Sequence, residues 1–382
     1  MASSRAHALP KPVPLLDTRT QLAPIRAEID AAIGRVLDHG QFILGPEVRE
    51  LENRIAAYCG AKHAIGCGSG SDALLLPLLA LGLKSGDLVV TTPYSFFATA
   101  GSVVRAGGRP VFSDIEPDTC NMDPEALAHT LKKMPARLRA RVKAIIPVDL
   151  YGQCADMGPI LEIGAKHGIP VIEDAAQAIG ASYGNQRAGS MGLCGTFSFY
   201  PSKNLGALGE GGMITTNDDA FAEKLRVLRV HGSRARYHHE VVGVNSRLDT
   251  LQAAALLVKL DYLDQWTEGR RCNAAWYREA LEGAPVALPV EKAGRFHIYN
   301  QFVIRSRRRD GLMERLKSAG IGCEVYYPVP LHLQECFADC GHKAGDFPVS
   351  EAAARETLAI PIQPELEPES LERVAAAIRQ GP

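Results

Sequence analysis

The sequence predicts an α/β fold: a large domain with a mostly parallel, seven-stranded sheet flanked by helices, followed by a smaller C-terminal α+β domain. Two observations carry this expectation. Between residues 64 and 216, seven short apolar runs alternate with amphipathic helical stretches. Strands separated by helix-length crossovers pair in parallel and are covered on both faces. After Asn217 the alternation stops, and longer helical patterns mix with isolated strand-like runs. A chain of 382 residues is long enough for one large domain and one small one.

The elements follow in order. Residues 1–20 read as an N-terminal arm, because Pro10, Pro12 and Pro14 favour extended chain. Helical periodicity covers 21–37 and, after Phe42-Ile43-Leu44-Gly45-Pro46, 47–59. Strands are expected at 64–67, 88–92, 110–114, 144–148, 170–174, 196–199 and 212–216, with helices at 72–83, 98–106, 124–133 and 157–166 between them. A helix at 220–230 leads into a loop rich in His and Arg, then into a long helical run from 250 to 266 and on towards 281. The remainder predicts strands at 301–304 and 324–327 and helices at 311–319, 350–357 and 368–379. The arm spans 1–20, the large domain 21–255 and the small domain 256–382.

Composition narrows the function. Lys plus Arg is 42 and Asp plus Glu is 43, so no basic excess is available to bind a phosphate backbone, and nucleic acid is not an expected partner. The longest apolar stretch, 73–83, is interrupted by Pro77 and is too short to span a bilayer. The first residues lack the apolar core of a signal peptide. Nine cysteines without tight pairing fit reduced thiols in a cytoplasmic protein. Cys336, Cys340 and His342 have a hint of metal spacing, but no second pair accompanies them, and no metal is expected.

The most informative stretch is Phe197-Ser198-Phe199-Tyr200-Pro201-Ser202-Lys203-Asn204-Leu205-Gly206. It puts a lysine just past a short apolar strand, a setting in which the amine can be held at a sheet edge, partly desolvated and aimed into a cleft. A neutral amine in that place forms a Schiff base with an aldehyde cofactor; a lysine in a loop is also the commonest kind of solvated charge. Other segments add to it. Cys67-Gly68-Ser69-Gly70-Ser71-Asp72 lies between a strand and a helix, where free N–H groups and hydroxyls make an anion site; the same residues also serve as a simple N-cap and turn. Val171-Ile172-Glu173-Asp174-Ala175-Ala176-Gln177 is an apolar strand ending in acids, at the strand end where α/β folds bind ligands. A carboxylate there pairs with a protonated pyridine nitrogen or caps a helix. Tyr94-Ser95-Phe96-Phe97 offers an aromatic ring for stacking on a flat cofactor or for core packing. Asn245 and Arg247 precede a long helix, as cap and surface charge or as ligand groups.

In this order and spacing, these segments resemble the DegT/DnrJ/StrS family of PLP-dependent nucleotide-sugar aminotransferases, which share the aspartate aminotransferase fold (PLP fold type I). With them go Leu150-Tyr151-Gly152-Gln153-Cys154-Ala155-Asp156, Asn245-Ser246-Arg247-Leu248-Asp249 and Tyr326-Tyr327-Pro328-Val329-Pro330-Leu331-His332. The resemblance runs from about Pro14 to the C-terminus. It implies pyridoxal 5′-phosphate as cofactor, with Lys203 as the Schiff-base lysine that later moves the proton. Asp174 matches the carboxylate on the pyridine nitrogen, Gln177 the side chain near the ring hydroxyl, and Phe96 the stacked aromatic. Gly70, Ser71 and Ser198 match the phosphate cradle. Asn245 matches a residue that reaches the phosphate from a partner subunit, so the family implies a homodimer with shared active sites. Arg247, His332 and Tyr327 match positions on the substrate side.

The activity implied is transfer of an amino group from L-glutamate to a keto group of a nucleotide-linked sugar. The Gln153-Cys154-Ala155-Asp156 run and the loop from His231 to His239 look most like members that aminate C3 of UDP-linked 3-keto hexoses or hexuronates. Amination at C4 of a dTDP- or UDP-4-keto-6-deoxy sugar stays open. Asp149 and Asn300 stand where relatives often carry histidine, which bears on the sugar more than on the reaction. Sugar dehydratases of the same fold replace the lysine with histidine, and Lys203 counts against them. A cofactor-binding regulator would need a DNA-binding extension that is not recognisable here. Amino-acid decarboxylation or racemisation would use the same lysine and aspartate, and the match from His231 to Gln252 favours sugars.

Overall fold

The structure, a computed structural model, describes residues 11–381; the first ten residues of the expected arm lie outside them. The described part of the arm docks on the small domain. Val13 bridges Ile321 in parallel and is buried with it. A short helix, Thr18–Leu22, then starts behind Asp17, whose carboxylate accepts from the Arg19 N–H.

The central sheet contains strands β1 (His63–Cys67), β2 (Leu88–Thr91), β3 (Arg109–Phe112), β4 (Val142–Ile146), β5 (Ile172–Asp174), β6 (Cys194–Ser198) and β7 (Gly212–Thr216). Their spatial order is β1-β7-β6-β5-β4-β2-β3, the β4–β5 join being made by the parallel bridges Ile145–Val171 and Val148–Asp174. Strand β7 runs antiparallel to both its neighbours and the other pairings are parallel. The strands are buried almost throughout, as continuous apolar runs between two helix layers must be. The expected seven-stranded sheet is therefore present, its strand limits within a few residues of those read from sequence.

Helix α1 (Gly70–Ala80) shows why composition matters. It is apolar all round and buried from Ala73 to Leu78, as a helix between sheet and outer helices should be. Helices α2 (Phe97–Arg105) and α3 (Asp219–Leu228) pack against it, α3 capped by Asp218 accepting from the Phe221 N–H. The helix expected over 21–37 begins properly at Arg26, after a 3₁₀ turn at Ala23–Ile25 that contains Pro24.

The C-terminal part differs more from expectation. The long run from 250 is two helices, α4 (Thr250–Leu260) and α5 (Leu263–Ala280), broken at Asp261-Tyr262. Leu256, Leu257, Leu260 and Leu263 belong to the core of the large domain, with Leu51 and Ile55, whereas Ala274 and Tyr277 belong to the small-domain core with Phe302 and Leu312. This packing favours a division within α5 rather than at 255/256. Strand β8 (Phe302–Arg305) pairs antiparallel with β9 (Thr357–Ile360), a strand absent from the sequence expectation, whose helix ends at Thr357. The strand expected at 324–327 is reduced to a single bridge from Glu324 to Ala359. Tyr326 and Tyr327 turn away to the large domain instead, where the Tyr326 carbonyl accepts from Tyr94 Oη at 2.7 Å.

Candidate active site

A cleft of about 460 Å³ opens at the carboxyl ends of β1, β2, β5 and β6, the edge at which parallel sheets offer free loops. It is lined by Gly70, Ser71, Phe96, Asp174, Gln177, Ser198, Lys203 and Tyr327, eight of the residues singled out from sequence. They come from segments more than two hundred residues apart in the chain.

One end is built by the turn from β1 into α1. Ser69 caps the helix, its hydroxyl accepting from the Asp72 N–H at 3.1 Å, which leaves the first N–H groups of an eleven-residue helix facing the cleft. Two glycines make room. A Cβ at Gly70 would fall 2.5 Å from that of Ser198, and one at Gly212 would fall 2.3 Å from the Ser69 carbonyl oxygen. Backbone donors, Ser71 and Ser198 therefore surround a space an anion can enter. Behind the turn, Ser246 accepts from the Gly68 N–H at 3.0 Å and donates to Asp72 Oδ2 at 2.9 Å.

Asp174 and Lys203 stand at the deep end. Asp174 is buried, its Oδ2 accepting from Thr99 Oγ1 at 2.7 Å and its Oδ1 from the Ala176 N–H at 3.3 Å. Burial raises its pKa, opposed by those hydrogen bonds and by Lys203, so this carboxylate gains from a cation placed beside it. Burial lowers the Lys203 amine to about 8, with Asp174 pulling the other way. Its neighbour Asn204 is buried and held by Asn300, whose Nδ2 donates to Asn204 Oδ1 at 2.8 Å. Glu173, next to Asp174, accepts from the Gly189, Met191 and Gly192 N–H groups at 2.7 Å and shapes the loop before β6.

Phe96 decides between stacking and core packing. Its ring is 56% exposed, while Tyr94, two residues earlier, is fully buried. Phe96 is therefore an open aromatic wall on the cleft, 6.1 Å from the Tyr327 ring. Gln177 forms the facing side, with Oε1 accepting from the Tyr151 N–H at 2.7 Å and Nε2 donating to Tyr327 Oη at 3.1 Å.

Comparison with known proteins agrees with this geometry. Residues 24–379 match the model of the DegT/DnrJ/EryC1/StrS aminotransferase family. The chain belongs to that family. It is 51% identical to a pleiotropic regulatory protein of Geobacillus stearothermophilus, over 96% of this chain and 98% of the relative. It is 45% identical to the UDP-N-acetyl-3-dehydro-α-D-glucosamine 3-aminotransferase of Acidithiobacillus ferrooxidans, over 96% and 97%. Among solved structures, S. venezuelae DesV in complex with a ketimine intermediate superposes with a TM-score of 0.92 at 42% identity, covering 97% of this chain and 98% of that one. The aspartate aminotransferase fold expected from the resemblance is thereby established, and pyridoxal phosphate is the cofactor of a family member of this kind.

The residues present fit that cofactor. An anion cradle at Gly70, Ser71 and Ser198, an exposed ring at Phe96, a desolvated carboxylate at Asp174 and a low-pKa amine at Lys203 share one cleft. They would hold, respectively, the phosphate, the ring face, the ring nitrogen and the aldehyde carbon.

Three expected residues stand apart in this family member. Asn245 is exposed, Arg247 is partly exposed, and neither lines the cleft of its own chain. His332 does not line it either. Its side chain is fully buried beside Phe347, with Nε2 3.2 Å from Glu351 Oε1, so direct contact with a sugar is not what this geometry offers. Asp149 and Asn300 are also buried and away from the cleft lining; Asp149 Oδ1 accepts from the Ala155 N–H. Of the cysteine–histidine group, Cys336 is exposed while His342 Nδ1 lies 3.4 Å from Asp346.

Sequence reading missed Thr99, Glu210 and Gln301, all of which line the cleft. Thr99 had a signal: it sits one helical turn after Phe96, so its side chain shares that face. Gln301 and Glu210 had none: Gln301 stands just before β8 and Glu210 in the loop before β7, and neither sits in a pattern that marks a ligand group.

Proposed function

We propose that this protein transfers the amino group of L-glutamate to a keto group of a nucleotide-linked sugar, at C3 of a UDP-linked 3-keto hexose or hexuronate, in the cytoplasm. The observation that carries the reading is the pairing, in one cleft, of a desolvated lysine amine with a buried carboxylate. The bound cofactor supplies an electron sink for the carbanion formed when a proton leaves the amino carbon. The protein's residues do the rest. Lys203, whose amine burial brings to about 8, would hold the aldehyde carbon and, as a free amine, would move a proton at the amino carbon. Asp174, held by Thr99, would keep the ring nitrogen protonated. The Gly70 turn would hold the phosphate, and Phe96 the ring face. The intact lysine favours turnover over the regulation in the Geobacillus relative's name.

The choice of C3 and of a UDP sugar rests on the likeness to the Acidithiobacillus enzyme. The dimer with shared sites is supported by Asn245 and Arg247 lying outside their own cleft and by exposed apolar side chains at Phe42, Ile43, Val241 and Val242. The cytoplasm is supported by nine free cysteines. Among the described residues no helix is long and apolar enough to cross a membrane.

The test is the visible spectrum. Protein mixed with pyridoxal phosphate should show an absorption band that bleaches with L-glutamate and returns with a UDP-3-keto sugar. Lys203→Ala should lack the band or leave it unchanged by glutamate. A wild-type protein with no band would end the cofactor reading; a band indifferent to glutamate would end the donor.

A further inference from the structure

The turn that carries Lys203 is closed on itself. The Ala207 N–H donates to the Phe199 carbonyl at 2.7 Å, and the Lys203 N–H donates to the Tyr200 carbonyl at 2.9 Å. Gly206 allows the close approach, since a Cβ there would fall 2.6 Å from the Pro201 carbonyl oxygen. Two side chains of α4 tie this turn to the rest of the fold. Gln252 Oε1 accepts from the Leu208 N–H at 2.8 Å, and Lys259 Nζ donates to the Gly206 carbonyl. Gln252 and Lys259 are seven residues apart, two turns of one helix, so they share a face. Lys259 is the unexpected member of this pair. It is 2% exposed, and among the described residues no carboxylate pairs with it. Beyond the Gly206 carbonyl, its ammonium has the Trp266 ring, 5.9 Å away. A buried ammonium without a counter-charge costs stability, and an apolar side chain of similar size would fill the space without that cost. What only the lysine supplies is the donor to Gly206, three residues from Lys203.

We propose that Lys259 is a positioning residue for Lys203: by holding the Gly206 carbonyl it sets where the Lys203 amine stands in the cleft. The inference rests on the aminotransferase reading and deepens it. Lys259 does not line the cleft, so it acts only through the turn. On the other flank of Lys203, Asn204 Oδ1 accepts from Asn300 Nδ2 at 2.8 Å, and the turn is gripped on both sides of the amine it presents. Burial brings the Lys259 ammonium to about 8, but charged or neutral the nitrogen keeps an N–H for the carbonyl. Without that donor the Gly206 carbonyl is buried and unpaired, and the turn is free to shift towards another partner.

The experiment compares cofactor-free wild type with Lys259→Met, which keeps the bulk of the side chain and removes the donor. Two ligands are followed on each protein. Pyridoxal phosphate is captured when the Lys203 nitrogen joins its aldehyde carbon with loss of water, and stopped-flow absorbance gives the rate. Pyridoxamine phosphate carries an amine in place of the aldehyde and makes no bond to Lys203, so its affinity, measured by calorimetry, reports on the rest of the cleft. The expected result is capture slowed about tenfold or more, because a small displacement of a reacting group is costly, with the affinity for pyridoxamine phosphate unchanged. Capture at the wild-type rate overturns the proposal and leaves the aminotransferase reading intact. A loss of affinity for pyridoxamine phosphate as large as the loss in rate also overturns it, since the whole cleft would then have moved. Should Lys259→Met fail to fold, Lys259→Leu, likewise without a donor, is judged by the same outcomes. A wild-type protein that captures no pyridoxal phosphate ends the aminotransferase reading and takes this inference with it.

Discussion

A lysine held at about 8 against an ordinary 10.5 changes protonation where its chemistry needs it to. Below that pH the amine is charged and cannot attack a carbonyl; above it the nucleophile predominates. Capture of pyridoxal phosphate by cofactor-free protein should therefore accelerate with pH and level off above about 8, as followed by stopped-flow absorbance. A rate still climbing at about pH 10 would mean an ordinary lysine. Stability carries the same sign. Between about 8 and 10.5 the unfolded chain holds this proton and the folded one does not, so the contribution of Lys203 to stability rises with pH across that window. Lys259 is also brought to about 8 by burial, so the effect is isolated by comparing urea titrations of wild type and Lys203→Met. At Asp174 the partner to remove is Thr99. Thr99→Val deletes a 2.7 Å bond to the carboxylate and should lower kcat/KM by about tenfold or more, while Thr99→Ser recovers most of it. A silent Thr99→Val would show that Asp174 needs no such support. Lys203 and Asp174 were legible in the sequence because each sits in a contiguous motif. Thr99 and the Gln177–Tyr327 contact were not, since a hydrogen bond across 150 residues leaves no local pattern.

Elements place these side chains, and the turn into α1 is the most exacting. Gly70→Ala would put a methyl group 2.5 Å from Ser198 Cβ, so either the turn or the strand end must shift. Affinity for pyridoxal phosphate should fall at least about tenfold, with a lowered melting temperature as the turn or the strand end gives way; unaltered affinity would place the phosphate elsewhere. The segment carrying Lys203 is anchored from the small-domain side by the buried Asn300–Asn204 bond. Asn300→Leu leaves Asn204 without that partner and should cost about 1–3 kcal/mol in urea unfolding. A loss below about 0.5 kcal/mol would mean that the bond is dispensable. The strands were readable because parallel, doubly covered strands are unbroken apolar runs between glycines and prolines. The break at Asp261-Tyr262 was not, because neither residue is a helix breaker and packing on two cores makes it. β9 was hidden for a related reason: Ala352, Ala353 and Ala354 extend a helical pattern up to a strand whose partner, β8, lies fifty residues back.

At the scale of the molecule, the cleft as one chain builds it lacks the asparagine expected at the phosphate, and Asn245 lies on the surface. If each site borrows Asn245 from the partner subunit, loss of Lys203 and loss of Asn245 disable different halves of the same site. Lys203→Ala should be inactive, and Asn245→Ala strongly impaired, each as a homodimer. In a mixed dimer one cleft carries both changes, while the other combines an intact Lys203 with an intact Asn245 from the opposite subunit. Random reassociation of equal amounts makes half the dimers mixed, each with one native site, so activity should recover to about a quarter of wild type. Sites built within one chain cannot complement in this way, and mixing them would give no more than the average of the two variants. The same preparation tested by light scattering fixes the oligomer independently. A monomeric mass would remove the shared-site arrangement altogether, and a dimeric mass without complementation would keep the dimer but return the phosphate contact to residues of the same chain.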